Sequence, residues 1–141
     1  GKPAGAPADF TYLQVSAGYY HSLAVGSDGN AYAWGSNSDG QLGNGTVAGQ
    51  RTPVKVGKPA GAPADFTYVQ VSAGLQHSLA VGSDGNAYAW GNNTYGQLGN
   101  GTSSFSGQYT PVRVGKPAGA PADFTYLQVS AGGLHSLAVG S

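Results

Sequence analysis

Cysteine, methionine and glutamate are all absent from the 141 residues. Without thiols, neither a disulfide framework nor a thiolate metal site can form. Charge of either sign is scarce: six Lys or Arg balance six acidic residues, all aspartate, and the formal net charge is zero. Nothing focuses a field on an anionic partner, so neither nucleic acid nor an anionic membrane surface is expected as a ligand. No run approaches the roughly 18 apolar residues of a membrane span, which argues against membrane insertion. No helical period is present, and the chain lacks a starting Met, which points to a piece excised from something longer or to a designed sequence.

Glycine, by contrast, is abundant at 25 residues. It falls at repeated places rather than every third position, which excludes collagen, while recurring Val, Leu, Tyr and Trp in strand-like alternation exclude disorder. The stretch Val15 to Val25 returns as Val71 to Val81 and as Val129 to Val139, so the unit recurs after 56 and then 58 residues. A period of that length is the mark of a solenoid or propeller array.

Each unit opens with Gly-Lys-Pro-Ala-Gly-Ala-Pro-Ala-Asp-Phe-Thr-Tyr, at 1–12, 57–68 and 115–126. Two prolines forbid a ladder or regular helix there, so this is a connector laid on the surface, with Phe10 pinning it to the body. Tyr12 to Ala17 alternates as a first strand, and Gly18, like Gly74 and Gly132, permits a tight exit. His21 to Val25 is a second strand, Ser27-Asp28-Gly29-Asn30 a hairpin turn, and Ala31 to Trp34 a third strand. A polar segment from Ser36 to Thr46 has Leu42 as its one apolar anchor. Pro53 to Val56 is a short fourth strand, whose proline suits an edge.

The expected fold is therefore all-β: a partial β-propeller of four-stranded antiparallel blades. Repeat 1 covers 1–56 and repeat 2 covers 57–114. The incomplete third blade, 115–141, holds only a connector and two strands. Open blade flanks expose apolar faces and strand edges, so the expected partners are the chain itself, as a homo-oligomer, or the rest of a longer propeller.

Val-Ser-Ala-Gly-x-x-His-Ser-Leu-Ala-Val, then Asp-Gly-Asn-Ala-Tyr-Ala-Trp-Gly-x-Asn-x-x-Gly-Gln-Leu-Gly-Asn-Gly and Thr-Pro-Val, resembles the repeat of the regulator of chromosome condensation family. The resemblance runs through 15–56, 71–114 and 129–139. It implies a ring of about seven blades when complete. It also implies one of several roles: nucleotide exchange on a small nuclear GTPase, inhibition of a secreted β-lactamase, or ultraviolet-B reception in plants. Exchange would need a charged hairpin insertion and acidic face residues, whereas this chain has neither a long insertion nor any Glu. Photoreception would need a tryptophan cluster, whereas Trp34 and Trp90 both occupy the family's structural Trp-Gly position. The Pro-Ala connector resembles those of large bacterial surface or secreted proteins, so an extracellular or bacterial-surface location is expected.

The copies differ at few places. Tyr19-Tyr20 corresponds to Leu75-Gln76 and to Gly133-Leu134; Ser36 to Asp39 corresponds to Asn92 to Tyr95; Val47-Ala48 corresponds to Ser103 to Ser106; and Arg51 corresponds to Tyr109. In a meander, the loops carrying these differences emerge at one end. The expectation is a variable rim of Tyr19, Tyr20, Asp39, Leu75, Gln76, Tyr95, Phe105, Tyr109 and Leu134 that binds a protein or glycan, since Tyr, Phe, Ser and Asn make adaptable low-charge contact surfaces. The functional expectation is a non-enzymatic interaction module; the alternatives are an inhibitor of a secreted enzyme such as a β-lactamase, or a carbohydrate-binding module.

His21, His77 and His135 occupy one place in each unit, on successive blades, too far apart to share an ion. They are expected to be structural, each ring bonded to a backbone group near its glycine turn, and Trp34 and Trp90 are expected to pack blades. The Asn-rich run from Asn37 to Asn44 lacks the alternating acids and closing Glu of a calcium loop. No metal, cofactor or catalytic triad is indicated.

Overall fold

The computed structural model describes residues 1–141, in which ten strands and no helix form three separate antiparallel sheets. The first contains β1 (Tyr12–Ala17), β2 (His21–Gly26), β3 (Ala31–Gly35) and β4 (Gln50–Lys55), in that order. The second repeats the meander with β5 (Tyr68–Ala73), β6 (His77–Gly82), β7 (Ala87–Asn93) and β8 (Ser104–Arg113). The third is the pair β9 (Tyr126–Ala131) and β10 (Ser136–Gly140). This is a partial β-propeller whose third blade is incomplete.

Register follows from turn chemistry. Gly29 takes φ +78° between β2 and β3, a left-handed conformation that costs glycine little. Asp28 Oδ1 accepts the Asn30 N–H at 3.1 Å, closing the turn so that His21 faces Gly35 and Val25 faces Ala31.

The cores lie between sheets. Leu23, Val25, Ala31 and Ala33 of the first sheet pack with Val71, Ala73, Ala80, Tyr88 and Trp90 of the second, and Leu42 and Val56 close the layer. Leu79, Val81, Ala87, Ala89 and Leu98 meet Tyr126 and Val129 of the third sheet in the same way. Identical residues therefore differ in burial according to whether a neighbouring blade covers them. Val71 is 1% exposed but Val15 is 64%, and Leu79 is 2% exposed but Leu137 is 64%. Each such side chain gains about 1.5–3 kcal/mol on full burial, so stability resides in the joints between blades.

The connectors lie against the sheets as expected. Phe10 is buried, with its ring edge-on to Tyr12 and Tyr32 at centroid distances of 5.0 and 5.7 Å. Two details differ from the pattern in the sequence. The fourth strands begin earlier than the Pro53 and Pro111 positions, at Gln50 and Ser104, and β8 runs to ten residues. The extra residues around Phe105 extend the hairpin, with Ser104 opposite Asn93, instead of forming a loop. Gly18 is also required for a different reason, since its φ is not positive. A Cβ there would collide with the Gly74 carbonyl of the next blade, as one on Gly74 would meet the Gly132 carbonyl oxygen at 2.6 Å.

Candidate functional site

The loops that vary between copies meet along one rim. Ser36 N–H donates to the Tyr20 carbonyl at 2.8 Å, which fixes the β3–β4 loop against the β1–β2 turn. Across the first joint, Gly45 N–H donates to the Tyr109 carbonyl at 2.8 Å, and Asn92 Nδ2 donates to Asp39 Oδ1 at 3.3 Å. Tyr95 and Leu134 line one cavity across the second joint. Tyr19, Tyr20, Tyr95, Phe105, Tyr109 and Leu134 are exposed, Phe105 to 92%, and the Tyr19 and Tyr20 rings are 6.4 Å apart. Leu75, Gln76 and Asp39 are half-buried.

The polar segment beneath the rim is tied down by its own hydrogen bonds. Buried Asn37 donates through Nδ2 to the Thr46 and Ala48 carbonyls at 2.9 and 3.1 Å, and its Oδ1 accepts the Leu42 N–H at 2.9 Å. Asn93 does the same in the second blade with the Thr102 carbonyl and Leu98 N–H. The asparagines therefore hold their own backbone, and no three His, Cys, Asp or Glu side chains gather as a metal site.

A second group of polar side chains, among them the histidines expected to be structural, joins the blades. His21 Nε2 lies 2.8 Å from Ser78 Oγ of the next blade, and Ser78 donates to the Gln41 carbonyl at 2.8 Å. That carbonyl also accepts Trp90 Nε1–H at 2.8 Å. Ser78 gives its one hydroxyl hydrogen to Gln41, so His21 must donate from Nε2, leaving Nδ1 as an acceptor. His77 with Ser136 at 3.0 Å, and Ser136 with the Gln97 carbonyl at 2.7 Å, repeat the arrangement at the second joint. Gln14 clamps Val71 in both directions, its Nε2 donating to the carbonyl at 2.8 Å and its Oε1 accepting the N–H at 2.9 Å. Ser16 Oγ accepts the Ala73 N–H at 3.0 Å.

The histidine partner is thus a serine of the neighbouring blade, not the backbone group near the glycine turn that the sequence led us to expect. Two-residue spacing within a strand cannot reveal a partner 57 residues away. The one available signal was that His-Ser, Gln-Leu and Trp-Gly stay constant together. His21 and His77 have their pKa values lowered to about 4, chiefly because burial penalises the charged ring; a neighbouring histidine adds to this. Protonation would load Nδ1, which has no hydrogen-bond partner in either ring. His135, Trp34 and Ser22 occupy equivalent positions on open flanks, where His135 is exposed and Trp34 and Ser22 are half-buried.

At the opposite rim, Asp28 Oδ2 accepts the Tyr32 hydroxyl at 2.6 Å, and Asp84 accepts that of Tyr88 at 2.5 Å. Burial and the adjacent carboxylate push both phenols up to about 12. These pairs lock turns and offer no reactive group.

Family models of the regulator of chromosome condensation (RCC1) repeat match residues 28–81 and 84–139, and a second such model matches 13–41 and 68–97. The probable E3 ubiquitin-protein ligase HERC6 of Homo sapiens is 43% identical over 126 residues, covering 89% of this chain and 11% of that protein. The ultraviolet-B receptor UVR8 of Arabidopsis thaliana is 47% identical over 90 residues, covering 64% of the chain and 20% of the receptor. Among solved structures, human WBSCR16 superposes with a TM-score of 0.73 at 32% identity, covering 89% of this chain and 29% of that one. Yeast RCC1 (Prp20) bound to Kap60 gives a TM-score of 0.78 at 25% identity, with coverages of 96% and 31%. The chain thus spans 11 to 20% of these curated relatives and about a third of the solved chains. These relatives are human, plant and yeast proteins, which overturns the bacterial, secreted or cell-surface origin inferred from the connector. Proline and alanine in a connector report its stiffness, and stiffness is not tied to one compartment. With the repeat models covering most of its length and its inter-blade joints built from the same His-Ser, Gly-Gln-Leu-Gly and Trp-Gly residues, the chain belongs to the RCC1-repeat family.

Proposed function

We propose that this non-enzymatic protein-interaction propeller module binds a protein partner through the rim on which its copies differ. Tyr19, Tyr20, Tyr95, Phe105 and Tyr109 serve as anchors, with Asp39, Leu75, Gln76 and Leu134 around them. The observation that carries the reading is the contrast in design: residues of the joints are buried and identical between copies, while the rim combines exposed aromatic side chains with a hydrogen-bonded loop base. Rigid aromatic side chains on a fixed scaffold lose little entropy on binding. A solved relative, Prp20p of Saccharomyces cerevisiae, has reported binding properties toward Gsp1p and histones, which supports a protein as the partner class.

The division into repeats at 1–56, 57–114 and 115–141 belongs to the same proposal, as does a larger assembly in which the two open flanks are covered. The test titrates protein partners, beginning with histones and Gsp1p, against the wild-type chain and a Tyr19→Ala/Tyr20→Ala/Tyr95→Ala variant. Binding weakened at least about tenfold with an unchanged fold is expected from losing aromatic anchors. A partner that binds both proteins equally removes the rim from the account.

A further inference from the structure

Each innermost strand carries one aliphatic residue that its ladder leaves out. Tyr68 pairs with Gly82 and Gln70 with Val81, so Val69 has no partner across the ladder, and Leu13 in β1 and Leu127 in β9 are skipped in the same way. A bulge of this kind re-aims the extra side chain. Val69 is 59% exposed and Leu127 61%, although β5 has β1 on one side and β9 on the other. Val71, two residues along the same strand, is buried in the first joint; Val69 and Leu127, by contrast, gain little from burial.

These two side chains line an open groove of about 420 Å³ between the second and third sheets, together with Val81, Gly82 and Tyr126. Asp84 is the one charged residue in its lining. Asp84 Oδ1 accepts the Asn86 N–H at 3.1 Å and Oδ2 accepts the Tyr88 hydroxyl, so both partners are neutral and each oxygen keeps capacity for another donor. Nearby basic side chains are engaged elsewhere. Arg113 donates to Asn86 Oδ1 at 2.6 Å, while Lys58 and Lys116 donate to the Ala64 and Ala122 carbonyls, each at 3.4 Å. The arrangement is built twice: Tyr126 N–H donates to the Gly85 carbonyl at 2.9 Å, and Tyr68 N–H to the Gly29 carbonyl at 2.9 Å, which sets Leu13, Val69 and Asp28 in the corresponding places at the first joint. Val69 therefore belongs to both.

We infer that this groove, at the end opposite the aromatic rim, docks an extended segment of a partner protein that carries a large apolar side chain and a lysine or arginine two residues apart, on one face. The apolar side chain covers Val69 and Leu127, and the cation meets the Asp84 carboxylate. Charge complementarity selects this occupant. An acidic segment would set like charges together, and a purely polar one would leave the aliphatic walls wet. The site is separate from the aromatic rim, and either can stand alone.

The probe is the synthetic peptide acetyl-Ser-Leu-Ser-Arg-Ser-Leu-Ser amide, titrated into the intact chain while methyl NMR signals are followed. Saturable shifts at Val69, Val81 and Leu127 are expected, with a dissociation constant of about millimolar. Val69→Ser/Leu127→Ser, at exposed positions, should leave the melting temperature within about 2 °C and weaken binding at least about tenfold. Asp84→Asn, which keeps one oxygen to close the turn, should weaken it about threefold, the scale of one exposed ion pair. Equal binding of the same peptide with glutamate for arginine, shifts confined to the aromatic rim, or no shift at about ten millimolar peptide would overturn the inference. So would sedimentation showing a dimer that Val69→Ser/Leu127→Ser abolishes, because the groove would then belong to a second copy of the chain.

Discussion

Ser22, Ser78 and Ser136 share the context His-Ser-Leu-Ala-Val-Gly, yet only their surroundings distinguish them, which makes alanine replacement a controlled experiment inside one molecule. Ser78 is fully buried and links His21 Nε2 to the Gln41 carbonyl, both at 2.8 Å. Replacing it with alanine removes two hydrogen bonds. The Gln41 carbonyl keeps Trp90 as a donor, but His21 loses the only partner of its ring, because Nδ1 already has none. Two bonds at about 1 kcal/mol each, with roughly 1–2 more for the orphaned ring N–H, give a cost of about 3–4 kcal/mol. Ser22 has no side-chain hydrogen bond and no blade against it, so Ser22→Ala should change stability by less than about 0.5 kcal/mol. For a chain of this size, the difference corresponds to roughly 8–15 °C in Tm. Scanning calorimetry and urea denaturation of the two variants provide the readout, with Ser136→Ala between them. Equal destabilisation by Ser22→Ala and Ser78→Ala would refute the reasoning, because it would place the serine's role within the strand instead of across the joint.

Other consequences follow from the same joints. His21 and His77 hold pKa values of about 4 against an unfolded value near 6.5, so the unfolded chain binds more protons in this window. Their contribution is fully present above pH 6.5 and is lost as pH falls toward 4, by up to about 3 kcal/mol per histidine. Urea midpoints that stay flat between pH 7 and 4.5 would contradict this. Gly43→Ala forces a Cβ against the Trp90 indole at φ +67° and should cost about 2–4 kcal/mol. Gly61→Ala, with open space around it at φ +76°, should cost only about 1 kcal/mol, the strain of its backbone; equal losses would put the whole effect in the backbone. Phe105→Ser, at a residue 92% exposed, should leave the melting temperature within about 2 °C.

Much of the fold is legible in the sequence because its signals are local. The Ser27-Asp28-Gly29-Asn30 turn fixes the β2–β3 register, and alternation from Tyr12 to Ala17 marks β1 without any tertiary information. What lies between blades is not legible in this way. Trp34 and Trp90 sit in the same Ala-Tyr-Ala-Trp-Gly segment, yet one is half-buried and the other fully enclosed, according to the blade that faces it. The histidine's partner is hidden for the same reason, since Ser78 lies in the next repeat. The ten-residue β8 escaped notice because Ser103 to Gly107 carries no apolar alternation; only its pairing to Asn93 makes it a strand. Comparison of the copies singles out all the rim residues, Asp39 as well as Tyr95 and Phe105, but not their surroundings. The half-buried setting of Asp39, with its carboxylate bonded to Asn92 across the joint, depends on geometry between blades.

Hydrogen exchange of the two indole N–H groups tests the joint most directly. Trp90 Nε1–H is buried and donates to the Gln41 carbonyl across the blades, whereas Trp34 has a half-open ring and no acceptor. The joint requires Trp90 to exchange slower by orders of magnitude, close to the rate of global unfolding, while Trp34 exchanges near the rate of a free indole. Matching rates for the two would mean that the sheets do not clasp one another through this network.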